Sequence, residues 1–276
     1  MRLASFRVNG RASFGVVDGD FVLDVGRRDG QSELVTAIER GTIDPAGAPR
    51  VSLAELTLLP PIPRPSKVIC VGVNYDEHRK EMGRAENAFP VLFTRFADTL
   101  VGHGQALVRP PESVELDYEG ELAVVIGRRG RRIPEERALE WVLGYSCFDD
   151  ATIRDWQRHT HQFTPGKNFP KTGGFGPHIV TLDEISNPLD LALRTRVDGT
   201  LVQSARTSEM VFSVPKLLAY ISRFTDLAPG DVIATGTPSG VGARRSPPFF
   251  LRPGSSVEVE LESVGLLLNT VVSEEV

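Results

Sequence analysis

A cluster of four prolines limits how this chain can fold. Pro60, Pro61, Pro63 and Pro65 take up four of the six places between residues 60 and 65. Each proline fixes its own φ, lacks a backbone N–H and restricts the preceding residue to extended conformations, so neither a helix nor a central strand can pass through this stretch. The sequence therefore predicts a boundary here, with a small N-terminal domain at residues 1–66 and a larger domain at residues 67–276.

The segment before the boundary has the signals of a small α+β domain. Asn9-Gly10 and Asp18-Gly19 favour tight hairpin turns, because these residue types tolerate positive φ. Ser32 predicts the N-cap of a helix, and Gly41 predicts its end. The segment offers no candidate metal ligand or catalytic base. We therefore expect it to form a separate, non-catalytic module that serves packing or dimer formation.

The larger domain has the pattern of a β-rich α+β fold with few helices. The chain holds 26 glycines and 20 prolines in 276 residues, which favours many turns and short strands over a helix bundle. Apolar runs predict buried strands at residues 68–71, 122–126 and 231–234, and strict alternation predicts a half-buried strand at residues 257–262. Helices are predicted from Pro134 to Gly144 and from Ser213 to Phe224, the second with one apolar face.

Composition excludes several classes of protein. The net charge of −5 argues against nucleic-acid binding and against a basic membrane anchor. No apolar stretch approaches the roughly 18 residues of a membrane span, and the N-terminus lacks the apolar core of a secretory signal. Cys70 and Cys147 have no metal-binding spacing and predict no disulfide framework. These features predict a cytoplasmic protein without nucleic-acid or membrane partners.

Two glutamates flank a glycine just before a buried strand. If the strand begins there, Glu119 and Glu121 project from the same face, and a cation between them would relieve their repulsion. Oxygen ligands of this kind suit Mg²⁺, Mn²⁺ or Ca²⁺. One member of the pair Asp149-Asp150, at the end of another apolar run, can supply a third carboxylate. The alternatives are a solvent-exposed strand for the glutamates and a helix N-cap for the aspartate.

Further candidates for chemistry are a histidine and a lysine. His78 and Glu81 are three residues apart, so on a helix the carboxylate can hold the imidazole as a general base needs. Lys167 lies in a glycine-rich loop where the backbone can approach a ligand closely. The alternatives are a surface ion pair for His78 and Glu81, and a solvated side chain for Lys167.

In combination these segments resemble the fumarylacetoacetate hydrolase family over residues 67–276. The resemblance rests on the segments Lys67–Tyr75 with His78 and Glu81, Leu100–Gly104, Asp117–Leu122, Asp150–Gln157, Gly166–Phe169 and Pro229–Gly242. It implies a mixed β-sandwich roll with few helices and a homodimer. It also implies one Mg²⁺ or Mn²⁺ on Glu119, Glu121 and Asp150, with Ca²⁺ as a possible substitute.

The same resemblance assigns roles to other residues. His78 and Glu81 are expected on a lid that becomes ordered over the substrate, within the polar segment 74–87. Lys167 is expected to contact the bound dicarbonyl as a catalytic residue. Further substrate contacts are expected from Gln157, Thr237, Arg154 and Tyr75.

Two positions depart from the family pattern near the expected pocket. Lys171 stands where many relatives carry a small hydroxyl residue, and Arg95-Phe96 replaces a Lys-Pro pair. Both changes alter the placement of charge, so the substrate of one relative does not transfer directly to this chain.

The function favoured at this point is a metal-dependent hydrolase. It would cleave a C–C bond in acylpyruvate or other 1,3-dicarbonyl substrates, in the catabolism of aromatic compounds or amino acids. The alternative is a decarboxylase or isomerase of related 2-oxo dicarboxylates, of the oxaloacetate or 2-hydroxymuconate type. An alternative of another class is a catalytically silent binding protein on the same fold.

Overall fold

A large mixed sheet dominates the computed structural model, which describes residues 1–83, 85 and 88–275. The strands described are, in chain order, β1 (Arg2–Val8), β2 (Arg11–Asp18), β3 (Phe21–Leu23), β4 (Arg50–Ser52), β5 (Thr57–Leu58), β6 (Val68–Gly72), β7 (Val91–Arg95), β8 (Leu100–Val101), β9 (Ala106–Arg109), β10 (Leu116–Asp117), β11 (Gly120–Ile126), β12 (Val142–Asp149), β13 (Thr152–Ile153), β14 (Gly173–Thr181), β15 (Ala192–Val197), β16 (Thr200–Arg206), β17 (Val232–Ala234), β18 (Ser256–Leu261) and β19 (Gly265–Ser273).

Helices are short and few in the described part of the chain. The α-helices are α1 (Val25–Asp29), α2 (Leu34–Arg40), α3 (Asp76–Glu81), α4 (Arg154–Gln157), α5 (Thr164–Lys167) and α6 (Val214–Phe224). Single 3₁₀ turns or longer 3₁₀ segments occur at Leu53–Glu55, Ala97–Thr99, Glu135–Trp141, Leu182–Glu184, Thr207–Glu209 and Gly242–Arg244. The β-rich α+β class expected from the sequence is confirmed. None of these helices is long and apolar enough to cross a membrane.

The strands form two main sheets that pack against each other. The larger sheet runs in the order β4-β3-β2-β1-β14-β12-β11-β17-β6-β7, with β5 beside β1 and β8 beside β14. The smaller sheet runs β16-β15-β18-β19-β9, and β10 pairs with β13. Most neighbours are antiparallel, whereas β17–β6, β14–β8 and β19–β9 are parallel. This arrangement is the mixed sandwich-type roll that the resemblance implied.

Strand β11 explains how the two cores form. Alternate side chains of a strand point to opposite faces, so Leu122 and Val124 pack in the core shared with the smaller sheet and α6. Ala123 and Val125 pack in the core on the other face, which α2 also covers. Because both faces are buried, this strand reads in the sequence as an unbroken apolar run.

Strands from the N-terminal segment extend the larger sheet. Strand β1 pairs antiparallel with β14, through Arg2 opposite Val180 and Leu3 opposite Ile179. The residues that line the cavity described below all lie after residue 66. The separate folding of residues 1–66 stays a prediction.

Local turn and cap signals are mostly confirmed, with small shifts. Asn9 and Gly10 form the first hairpin loop with φ of 48° and 76°, whereas the second loop is Gly19-Asp20, one residue later than predicted. Helix α2 ends at Gly41 in the left-handed region, as predicted, but its N-cap is Glu33 and not Ser32.

Two larger corrections concern the predicted helices. The helix predicted from Pro134 to Gly144 is a 3₁₀ segment at Glu135–Trp141, because Gly144 belongs to β12, paired between β11 and β14. In α6 the predicted apolar face is buried except at its last residue, Phe224, which is 58% exposed.

Candidate active site

A cavity of about 480 Å³ beside the start of β11 brings together most of the residues singled out in the sequence. The predicted residues in its wall are His78, Glu119, Glu121, Arg154, Gln157, Lys167 and Thr237. Glu81 and Asp150 are not part of the wall, but Glu81 contacts His78 and Asp150 contacts Lys167. Tyr75 is not part of the cavity wall: its side chain packs in the core shared by the two sheets.

The two glutamates share one face of β11 because a strand repeats every two residues. Glu119 and Glu121 are both buried and face the cavity, whereas Gly120 points to the smaller sheet. A Cβ at Gly120 would lie 2.0 Å from Thr195 Oγ1, so the two sheets can approach only if this position is glycine. The glycine between the glutamates therefore serves packing on the face opposite the carboxylates.

Pairing between β11 and β12 selects the third carboxylate. Asp149 is opposite Gly120 and shares its face, so the next residue, Asp150, points to the side of the glutamates. Asp149 Oδ1 accepts a hydrogen bond from the backbone N–H of Glu119 at 2.9 Å, and burial raises the pKa of Asp149 to about 7. Asp149 thus supports the backbone, and Asp150 completes the group of acids.

The three carboxylates form a possible site for a divalent cation. Glu119, Glu121 and Asp150 each offer an oxygen, and these oxygens lie within 4.8 Å of one another. All three side chains are buried, and the donors are hard oxygens without sulfur or imidazole. This donor set fits Mg²⁺, Mn²⁺ or Ca²⁺.

Buried cations hold two of the three acids. Lys167 Nζ lies 2.6 Å from Glu119 Oε2 and 2.5 Å from Asp150 Oδ2. Arg154 Nη2 lies 2.7 Å from Glu119 Oε1 as an ion pair, and Arg95 Nη1 donates to Asp150 Oδ1 at 2.6 Å. Burial alone would lower the pKa of Lys167, but Asp150 and Glu119 outweigh this effect and raise it. Lys167 therefore carries its proton.

Glu121 is the acid left without a cationic partner among the described residues. Its Oε2 accepts a hydrogen bond from the backbone N–H of Gly236 at 2.8 Å. Gly236 has φ of 104°, and a Cβ there would lie 2.7 Å from Asn74 Cβ, so only glycine fits at this donor. Burial raises the pKa of Glu121 well above its usual range, and Asp150 and Glu119 add to the rise. By contrast, Lys167 and Arg154 outweigh the effect of burial on Glu119 and lower its pKa to about 2.

Metal binding should therefore displace a proton from Glu121. The raised pKa keeps this carboxyl protonated in the metal-free protein, while a divalent ion requires the carboxylate. Below the pKa of Glu121, the apparent affinity for Mn²⁺ should rise about tenfold for each pH unit, since one proton leaves. Titration with Mn²⁺ at a series of pH values checks this. An affinity that stays constant over this series would contradict it.

The predicted His78–Glu81 pair is formed on α3. His78 Nδ1 lies 2.9 Å from Glu81 Oε2, and the imidazole is 3% exposed. Glu81 is held in turn, because its Oε1 accepts a hydrogen bond from the backbone N–H of Gly240 at 3.0 Å. This arrangement leaves Nε2 of His78 as the ring atom that can exchange a proton with a ligand. Residues 84, 86 and 87 of the predicted lid lie outside the described residues.

The remaining predicted contacts differ in what they can offer. Gln157 Oε1 accepts a hydrogen bond from Arg154 Nη1 at 3.0 Å, which leaves its amide nitrogen as a donor. The hydroxyl of Thr237 donates to Gly120 O at 3.0 Å and accepts from Gln203 at 2.8 Å, so it is already used within the protein. The roles of Gln157, Thr237, Arg154 and Tyr75 as substrate contacts stay predictions.

Arg95 and Asp117 support the site, although the sequence analysis assigned neither of them a role. Arg95, which departs from the family pattern, is 3% exposed. It donates to Thr172 Oγ1 at 2.8 Å as well as to Asp150, so it holds the Asp150 carboxylate in place. Lys171, the other departure, is exposed. Asp117 accepts from Arg154 Nε at 2.8 Å and anchors the backbone of the loop after Gly240. An acid preceding the Glu-Gly-Glu segment was the only sequence signal for that anchor.

Comparison with known families agrees with this geometry. Residues 67–272 match the family model described as Fumarylacetoacetate (FAA) hydrolase C-terminal, and residues 1–61 match the model Rv2993c-like, N-terminal. The chain belongs to the fumarylacetoacetate hydrolase family. The resemblance stated from the sequence is thereby confirmed, and the chain is related to enzymes.

Several relatives in this family have named activities. The mitochondrial oxaloacetate tautomerase Fahd2a of Rattus norvegicus is 41% identical over 248 residues, which cover 87% of this chain and 79% of that protein. The oxaloacetate tautomerase YisK of Bacillus subtilis is 44% identical over 233 residues, which cover 83% of this chain and 77% of that protein.

Solved structures of the family share the whole fold. Fumarylacetoacetate hydrolase from psychrophilic Exiguobacterium antarcticum is 41% identical with a TM-score of 0.90, covering 99% of this chain and 100% of that one. Maleylpyruvate hydrolase from Sphingobium sp. SYK-6, solved with manganese (II) ion and pyruvate, is 30% identical with a TM-score of 0.82. That comparison covers 100% of both chains.

Proposed function

We propose that this protein interconverts the keto and enol forms of a small 2-oxo dicarboxylate, of the oxaloacetate type, with the help of a divalent cation. The observation that carries the proposal is a cavity whose wall includes Glu119, Glu121 and His78, with Asp150 clustered beside the glutamates and Glu81 paired with the histidine. The relatives named oxaloacetate tautomerase support the choice of substrate, since they are 41 and 44% identical to this chain.

Glu119, Glu121 and Asp150 are proposed to hold the cation, with Mg²⁺ or Mn²⁺ as the resident ion. A cation bound there would act as a Lewis acid that stabilises negative charge on the 2-oxo oxygen of the substrate. The ammonium of Lys167 adds a second positive charge at the same place. Gln157 contributes its free amide donor, oriented by Arg154, to the carboxylate next to the 2-oxo group.

His78 is proposed to move the proton. With Nδ1–H donated to the carboxylate of Glu81, the lone pair of Nε2 can take a proton from C3 of the keto form and return it in the reverse direction. Tautomerisation needs only this transfer and the delivery of the same proton from the imidazolium of His78 to the enolate oxygen. No attack by water is required, so the residues present are sufficient.

C–C bond hydrolysis of acylpyruvates, which the sequence favoured first, stays the second candidate. The His78–Glu81 pair could equally draw a proton from water, and maleylpyruvate hydrolase shares the fold. A fumarylacetoacetate hydrolase is 41% identical to this chain, so identity alone does not separate the two reactions. We rank tautomerisation higher because it needs only a proton transfer and no attacking water, and because the relatives from rat and Bacillus subtilis are named for it. Decarboxylation of the same dicarboxylates is the remaining chemistry that the residue set allows.

A substrate panel separates these candidates. The protein loaded with Mg²⁺ or Mn²⁺ should accelerate the loss of enol absorbance of oxaloacetate without releasing pyruvate or CO₂, because only a proton moves. Faster release of pyruvate from acylpyruvates would favour the hydrolase, and release of CO₂ would favour the decarboxylase. Tight metal-dependent binding without turnover of any member would favour a binding protein.

The quaternary state and location are proposals of the same rank. We propose a homodimer, as the resemblance implied, and a cytoplasmic location. Light scattering on the purified full chain tests the first, and fractionation of the source cells tests the second. The mitochondrial name of the rat relative makes the second test informative.

A further inference from the structure

Arg244 lies at the wall of the active-site cavity and faces it from a loop with no predicted role. It ends the 3₁₀ turn Gly242–Arg244, and its side chain lines the same cavity as Glu119 and Glu121. The residue is exposed, so its guanidinium is accessible from the mouth of the cavity. A cation in this wall can contact a ligand that is held in the same cavity.

Arg244 differs from the other lysine and arginine residues of the cavity wall because it has no carboxylate partner among the described residues. Its Nε and Nη2 lie 3.2 and 3.5 Å from the sulfur and the backbone oxygen of Met82. Within the described residues, no carboxylate lies within ion-pair distance of Arg244. Each of the other cations has one: Lys167 with Glu119 and Asp150, Arg154 with Asp117 and Glu119, and Arg158 with Glu115.

The backbone of Arg244 is tied to the metal-binding residues. The N–H groups of the two residues before Arg244 donate to the carboxylate of Asp117 at 2.8 and 2.9 Å. The same carboxylate accepts from Arg154, which contacts Glu119. The loop therefore holds the base of the Arg244 side chain at a set place relative to the proposed cation. Its contact with Met82 also joins it to the end of α3, which carries His78.

We propose that Arg244 binds the distal carboxylate of the substrate and thereby selects dicarboxylates over monocarboxylates. This rests on the proposed function, in which Glu119, Glu121 and Asp150 hold the 2-oxo acid end through a cation. A C4 chain bound in this way directs its second carboxylate away from the acids, towards an arginine that lacks a counter-charge. A guanidinium matches a carboxylate in a bidentate geometry. Arg158 is a weaker candidate because Glu115 already occupies it at 2.5 Å.

Binding of two unreactive analogues tests the proposal without turnover. Malate and lactate present the same 2-hydroxy acid to the cation, but only malate has a distal carboxylate. Calorimetric titration of the Mn²⁺-loaded protein should show that malate binds about 10- to 100-fold more tightly than lactate, the usual effect of a charge-assisted hydrogen-bonded pair. In Arg244→Gln this preference should vanish while the affinity for Mn²⁺ alone is retained.

Two matched variants make the result specific. Arg252→Gln removes the same charge from an exposed position outside the cavity wall and should keep the preference for malate. Arg158→Gln removes a paired arginine of the wall and should keep most of it. The proposal is overturned if wild-type protein binds malate and lactate equally, or if the preference survives in Arg244→Gln. A preference lost in Arg158→Gln alone would assign the subsite to that residue instead.

These outcomes are distinct from those of the substrate panel. If the protein prefers malate through Arg244 but does not interconvert oxaloacetate, the subsite is supported and the proposed tautomerase activity is refuted. If it interconverts oxaloacetate but shows no preference for malate, the activity is supported and the role of Arg244 is refuted.

Discussion

Glu121→Gln and Glu119→Gln should both abolish metal binding and lower turnover by at least about 10³-fold, but only Glu119→Gln should destabilise the metal-free protein. Glu121 has no cationic partner among the described residues and a raised pKa, so it is already neutral and an amide replaces it without loss. Glu119 is the shared counter-ion of Lys167 and Arg154, and its loss leaves two buried cations with one fewer negative charge. For Glu119→Gln we expect the free energy of unfolding to fall by about 3–5 kcal/mol.

Metal content by elemental analysis and denaturant unfolding of the chelated protein measure the two effects separately. Chelation of the wild-type protein should reproduce the loss of activity, and added Mg²⁺ or Mn²⁺ should restore it. Unchanged metal content and turnover in Glu119→Gln would refute the assignment of the metal ligands. An equal loss of stability in both variants would refute the charge assignment of Glu121.

His78→Ala should lower turnover by about 10²- to 10⁴-fold, the usual contribution of a positioned acid or base, while the affinity for Mn²⁺ stays the same. The imidazole contacts Glu81 and lines the cavity, but it is not one of the three clustered oxygen donors. Steady-state rates of oxaloacetate tautomerisation and a Mn²⁺ titration give the two numbers. His159→Ala, which removes an exposed histidine outside the cavity wall, is the matched control.

Glu81→Gln should cause a smaller loss than His78→Ala. The amide oxygen can still accept one of the two hydrogen bonds that the carboxylate accepts from His78 and Gly240, but the amide no longer carries the charge that favours the imidazolium formed during proton transfer. Normal turnover in His78→Ala, combined with full dependence on the metal, would rule out the proton-transfer role. Decarboxylation driven by the cation alone would then be the better explanation.

Side-chain alternation within one strand made part of the site predictable. Glu119 and Glu121 lie on one face because strand periodicity is local, and the following apolar run shows that the strand is buried on both faces. The spacing of His78 and Glu81 likewise places them together on one helical turn. Family motifs then joined these local signals, so the family and the fold class followed from the sequence.

Local propensity failed where pairing with distant strands decided the conformation. The stretch after Pro134 has the start signals of a helix, yet its end joins a strand that hydrogen-bonds to β11 and β14 on both sides. The pairing also distinguishes Asp149 from Asp150, because only the register with Gly120 shows which of the two faces the glutamates. Adjacent residues in a sequence look equivalent until the partner strand is known.

The sequence by itself therefore determined the family, through the resemblance of its motifs. It also determined the β-rich class and most candidate ligands, because these depend on periodicity and spacing over a few residues. Only the tertiary structure decided the charges of the site. It placed Arg95 behind Asp150 and left Glu121 and Arg244 without ionic partners among the described residues. The physical reason is that electrostatic interactions depend on distance and burial, and the chain brings these groups together from segments 55 to 162 residues apart.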